Sequence, residues 1–181
     1  MKKLFLVFLL LGMSATASAY DITLVYQLKG TAVGEMRKVA DYTGDGKRDK
    51  ALCFDLDLID LRRNRIIGTA TDCLAKIKTK KHGLLILGTT IFKVKYGWLR
   101  GKIISRGRTS VSKKTGGSPN ITHVTGNVPK DDGVNSVIKA TGFFAGFKGP
   151  VRLSGAVDMS NMTPENPEIT FDCIFVLKLS N

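Results

Sequence analysis

Apolar and polar residues alternate with a period of two over much of this chain. That spacing turns one face of a β-strand into a core and the other into water. The clearest run is 51–60, ALCFDLDLID. Leu52, Phe54, Leu56 and Leu58 share one face, and Cys53, Asp55, Asp57 and Ile59 share the other. Comparable runs at 20–29, 66–77, 84–95, 99–112, 121–125, 151–159 and 169–179 complete a set of about eight strands. Polar or glycine-rich turns separate them at 30–49, 61–65, 78–83, 113–119, 128–135 and 160–168. Gly101 and Gly107 are bulge candidates within their strand. No segment carries the 3.6-residue period of an amphipathic helix, and no heptad, repeat or domain boundary is present. Many short strands at regular spacing predict an all-β fold, and a single eight-stranded antiparallel β-barrel removes the edges such strands would otherwise expose.

The stretch 137–179 organises this prediction. At its centre Thr141-Gly142-Phe143-Phe144-Ala145-Gly146-Phe147-Lys148-Gly149-Pro150-Val151 sets three glycines among three aromatics. The glycines permit backbone bends that a side chain would block, and the rings supply apolar area to close the bend on a core. This predicts a kinked corner feeding a closing hairpin.

The N-terminus has another pattern. A basic start (Lys2, Lys3), an apolar run from Leu4 to Leu11 and a small-residue site at Ala17-Ser18-Ala19 read as a signal peptide over residues 1–19, with 20–181 as one barrel domain. The apolar run is too short for a permanent span. The expected location is therefore exported, periplasmic or secreted. The whole chain of 181 residues has a net charge of +13, and loss of residues 1–19 takes two lysines and leaves +11. A field of that sign favours anionic partners. The cations are scattered among apolar residues, as on the wet face of strands, where they also discourage edge pairing. No helix-turn-helix, zinc finger or stacking motif points to specific nucleic-acid binding.

The glycine–aromatic corner resembles that of the allene oxide cyclase and dirigent families. The strand 51–60, then Arg65-Ile66-Ile67-Gly68, then Cys73, follow in the same order. The resemblance runs loosely from Ala51 to the C-terminus. It implies an eight-stranded, calycin-like barrel with a small apolar cavity, in dimers or trimers. It also implies isomerase or cyclase chemistry, or dirigent-like positioning of a phenolic intermediate. Allene oxide cyclases use a glutamate on the first strand and a cysteine on the third. Here Tyr26-Gln27-Leu28 falls at the glutamate's place, so an amide replaces the acid, and the interval from Gly68 to Cys73 is one residue shorter than usual. Dirigent proteins place acids in the cavity, and Asp55, Asp57, Asp72 and Asp172 are the corresponding candidates here.

The catalytic candidates are therefore Asp55, Asp57, Cys73 and Cys173, alongside Asp72 and Asp172. Three cysteines in an exported chain also raise disulfide pairing. If Asp60 faces Ile66 across the 61–65 turn, constant register sets Cys53 opposite Cys73. A one-residue bulge in either strand would separate them. Cys173, between Phe171 and Phe175, is either a small buried hydrophobe or a reactive thiol. Asp41, Thr43, Asp45 and Asp49 match the front of a calcium loop, with Gly46 at the sharp turn. Leu52 stands where its last carboxylate would be, and an ordinary Asp-Gly turn is the other reading. Calcium is the one cofactor this pattern suggests. His82 and His123 have no partner at zinc-ligand spacing, and no phosphate loop or dinucleotide fingerprint occurs.

Two functions follow. One is an exported barrel that binds a small apolar or aromatic molecule and assists its isomerisation or cyclisation by positioning. The other is a non-catalytic envelope protein whose basic surface binds an anionic polymer or a protein partner. An inward-facing aspartate with a raised pKa would favour the first.

Overall fold

The computed structural model describes residues 20–39, 47–81, 83–112 and 136–181, together with the backbone of 121–127. The described residues contain strands and turns and no helix. Ten strands form one antiparallel sheet: β1 (Asp21–Val33), β2 (Glu35–Lys38), β3 (Lys50–Asp60), β4 (Arg65–Lys80), β5 (Gly83–Tyr96), β6 (Leu99–Ser112), β7 (Ile121–Asn127), β8 (Val137–Gly142), β9 (Val151–Asp158) and β10 (Glu168–Ser180). Their order is β1-β10-β9-β7-β6-β5-β4-β3-β2, with β8 beside β7 on the edge of β6. Eight of them make a curled wall, and β2 and β8 flank it.

The curl forms a half-barrel. β1 pairs with β10 along its whole length, Asp21 to Val33. It meets β3 only over Tyr26–Lys29 opposite Asp60–Asp57. Beyond Gly30 the edge of β3 passes to β2, with Glu35 opposite Cys53. The seam is thus drawn together at one place and not zipped along the strands, which corrects the closed eight-stranded barrel expected from edge removal and from the resemblance. The cause is local: β1 runs on past Gly30, whose φ is +133°, and the chain then hooks onto the β9–β10 loop through Gly34 N donating to Pro167 O at 3.0 Å.

Alternation put the core where it was expected. Tyr26, Leu28, Phe54, Leu58, Phe92 and Leu177 are each at most 1% exposed and face inward. The region 30–49, expected as turn, contains the end of β1 and all of β2, and 78–83, also expected as turn, is mostly strand among its described residues, since β4 continues to Lys80 through a bulge after Ala75. Gly101 and Gly107 are not bulges against β5, because that ladder is continuous from Gly83–Ser112 to Tyr96–Leu99. Gly101 has a different reason: a Cβ there would lie 2.3 Å from the Thr141 carbonyl of β8.

The glycine–aromatic corner forms as the sequence predicts. Gly142 (φ +66°), Gly146 (+86°) and Gly149 (+142°) all take the left-handed region. At Gly149 an added Cβ would lie 2.0 Å from the Lys178 carbonyl. Phe144 and Phe147 are buried beneath the bend, and Phe143 stacks over Phe147 at 5.9 Å. The corner caps one end of the half-barrel and hands the chain to the β9–β10 hairpin.

Candidate functional site

At the other end the packing is incomplete. β4 faces the interior with Ala70, Asp72 and Leu74, so a carboxyl stands between two apolar neighbours. Asp72 lies opposite Thr90 of β5, and Thr90 lies opposite Ser105 of β6. These three make a polar row across an otherwise apolar inner wall. Thr90 donates its hydroxyl to Asp72 Oδ1 at 2.8 Å. Ser136 extends the row beside β8: its backbone oxygen accepts from Arg106 N, and its hydroxyl oxygen accepts from Val151 N at 3.1 Å.

Two hollows meet at this row. An apolar one of about 60 Å³ is walled by Leu28, Leu74, Ile86, Val111, Phe171 and Phe175 among others. A polar one of about 30 Å³ is bounded by Thr90, Ser105, Gly107 and Ser136, with Arg106 and Arg108 at its margin. Asp72, Thr109, Leu153 and Phe175 line both. Each is larger than the roughly 10–15 Å³ that one water requires. Gly88 and Gly107 lie opposite each other on this wall and leave it without side chains there.

Burial disfavours the charged form of Asp72 and lifts its pKa to about 6, against the smaller opposing effect of the Thr90 hydrogen bond. A carboxyl that titrates there, facing an apolar space, can give or take a proton near neutral pH.

The remaining candidates are dispersed. Asp55 points outward, accepts from Arg37 at 2.8 Å and from Thr71 at 2.6 Å, and is held below the usual carboxylate range chiefly by the Arg37 guanidinium. Asp57 is exposed on the outer face opposite Lys29. Asp172 is also outside, where Gln27 Nε2 donates to it at 2.6 Å. Gln27 therefore faces away from the cavity, while its neighbours Tyr26 and Leu28 face in. Cys73 is bonded to Cys53 on the outer face, which removes it as a nucleophile. That disulfide sits in a small separate cluster with Val39, Ala51 and Ala75.

Cys173 faces inward between Phe171 and Phe175 and is a free thiol. Burial, reinforced by the negative charges of Asp72 and Asp172, pushes its pKa up to about 12. It is protonated at any physiological pH and packs as a small hydrophobe. Asp41, Thr43 and Asp45 of the calcium loop lie outside the described residues. Asp49 is inside them, and its backbone oxygen accepts from Val39 N at 2.8 Å. Among the described residues, no three His, Cys, Asp or Glu side chains cluster as metal ligands.

Sequence reasoning named Asp72 but did not separate it from three other acids, and it missed Thr90, Ser105 and Ser136. The signal that finds them is cross-strand register: once β4, β5 and β6 are aligned, the polar row is evident. A scan of protein-family models and a search of curated proteins gave no match to this chain.

Proposed function

We propose that this chain binds a small apolar or aromatic molecule in the hollow beside Asp72 and assists a proton-transfer isomerisation or cyclisation of it. The observation that carries the reading is one carboxyl with a pKa of about 6 at the edge of an apolar space. Pockets built from apolar walls and a few convergent polar groups are where ligands bind, and a perturbed acid in such a place is a candidate for chemistry. Thr90 orients the carboxylate, and the apolar walls keep its proton affinity high. The hollow, about 60 Å³, is smaller than the roughly 150 Å³ that encloses a benzene ring, so it takes a short chain or one ring entering by its edge. On this reading the half-barrel belongs with the allene oxide cyclase and dirigent type of barrel, and the protein works outside the cytoplasm after loss of residues 1–19. The Cys53–Cys73 disulfide is compatible with that location.

Uptake of 4-fluorophenol, a neutral single-ring probe followed by its fluorine NMR signal, tests the proposal. Binding is expected for the wild type, with at least a tenfold loss in Leu153→Phe, which pushes a ring into the shared wall of both hollows. Failure of the wild type to take up the probe, or equal uptake by the variant, refutes the cavity as the site.

A further inference from the structure

The capped end carries a different surface, independent of the hollow. The β3–β4 and β5–β6 turns meet there. Arg65 donates to the Tyr96 hydroxyl at 3.1 Å and lies over its ring at 4.6 Å, and Arg63 approaches the same ring at 5.7 Å. Two residues on, Trp98 stands at the tip of the β5–β6 turn, 70% exposed. Its ring meets the edge of Phe143 at 4.9 Å, Phe143 stacks on Phe147, and Phe147 meets Tyr20 at 6.1 Å. Ile66 and Tyr20 are also more than half exposed on this rim.

Cations surround these rings. Arg62, Arg63, Arg65, Lys95, Arg100 and Lys148 are exposed there. Lys95 lies directly opposite Arg100, and Lys93 directly opposite Lys102. Like charges facing each other across a ladder destabilise it; neither β5 nor β6 contains an acid, and the acid that draws on Lys93 is Asp55 of β3, across β4. Of the acids near this rim, Asp60 is engaged by Arg63, and Asp21 lies at the start of β1.

We infer that this end docks on an anionic lipid surface, with Trp98 seated among the headgroups. Tryptophan at the centre of a basic rim matches the interfacial zone of a bilayer, where an amphipathic ring is stable and each cation gains from anionic lipid. A soluble polyanion would use the charges but gains nothing from the exposed Ile66. A second copy of this chain would bring a second basic rim against the first. Docking in this way points the opposite end, with its hollow, away from the lipid.

Trp98 is the chain's one tryptophan, so its emission reports this rim directly. Purified protein is mixed with vesicles of equimolar phosphatidylglycerol and phosphatidylcholine, with phosphatidylcholine alone as control. The expected result is a blue shift of Trp98 and its quenching by bromine placed on the acyl chains, on the anionic vesicles only. Arg65→Ser and Arg100→Ser are each expected to weaken binding about fivefold at low salt, with circular dichroism confirming the fold. Four results overturn the inference: unchanged emission on anionic vesicles, an equal shift on phosphatidylcholine, co-sedimentation with Trp98 unmoved, or a shift induced by dextran sulfate but not by vesicles.

Discussion

At position 72 the chain places a carboxyl where the inner face of β4 otherwise carries Ala70 and Leu74. Burial makes that costly, and the cost is readable as a pH dependence. The pKa of Asp72 in the folded protein, about 6, lies above its value in an unfolded chain. The native state therefore holds a proton that the unfolded chain releases between about pH 4 and 6. Stability contributed by this group is full below that window and falls as pH rises through it, by about 3 kcal/mol in total. Asp72→Asn keeps an oxygen for Thr90 and removes the charge. Urea denaturation at a series of pH values should show the variant more stable than wild type above pH 6, with the difference vanishing near pH 4. A difference that is the same at every pH contradicts the assignment. The inward direction of Asp72 was not legible in the sequence, for a physical reason. Both faces of the 66–77 run are mixed and small: Gly68, Ala70, Asp72 and Leu74 on one, Thr69, Thr71, Cys73 and Ala75 on the other. Neither face is apolar enough to name the core side, whereas at 51–60 four large residues on one face leave no choice.

Among the elements, the β3–β4 hairpin shows how register decides chemistry. Asp60 does not face Ile66, as the turn suggested, but Arg65, and Ile59 faces Ile66. A bulge then inserts Ile67, Leu58 faces Gly68, and Cys53 comes opposite Cys73 after all. A bulge was the feature expected to part the two cysteines. Here it corrects a one-residue offset at the turn and brings them together. The driving force is visible in burial: the bulge puts Ile67 into the core and leaves Ile66 58% exposed. The bond closes a chain separation of 20 residues, which constrains the unfolded state by about 3 kcal/mol. Reduction, or Cys53→Ser with Cys73→Ser, should lower unfolding stability by about that amount in denaturant titration, while Cys173→Ala should leave the effect of reductant unchanged. An effect of reductant that disappears with Cys173→Ala would show that the wrong thiols have been paired. The glycine–aromatic corner was the best-read element, because three glycines at left-handed φ and two buried rings beneath them leave a strong mark in sequence. β2 and β8 were not read, because EMRK is too short to show a period and VIKATG does not alternate.

For the whole molecule, the half-barrel sorts its functions by end. The corner and its aromatic stack fill one end, and the strand tips around it carry Trp98 and a ring of cations. The polar row from Asp72 to Ser136 marks the boundary beyond which the interior is not filled. This division follows from where large side chains occur on the inward positions: Phe92, Phe144, Phe147 and Leu177 crowd the capped half, while Gly88, Gly107 and Gly155 thin the wall of the other. The eight strands of the wall and the core were legible because alternation is local. Sheet closure and cavity were not, because they depend on which strands meet and on how far β1 stays with β10 past Gly30.

The measurement that tests the account most directly is an NMR titration of the Asp72 carboxyl carbon, assigned by its loss in Asp72→Asn. A midpoint near 6, displaced when 4-fluorophenol is added, is the predicted result. A midpoint near the ordinary aspartate value of about 3.9, unmoved by the probe, would make Asp72 a solvated strand residue and contradict the proposed function.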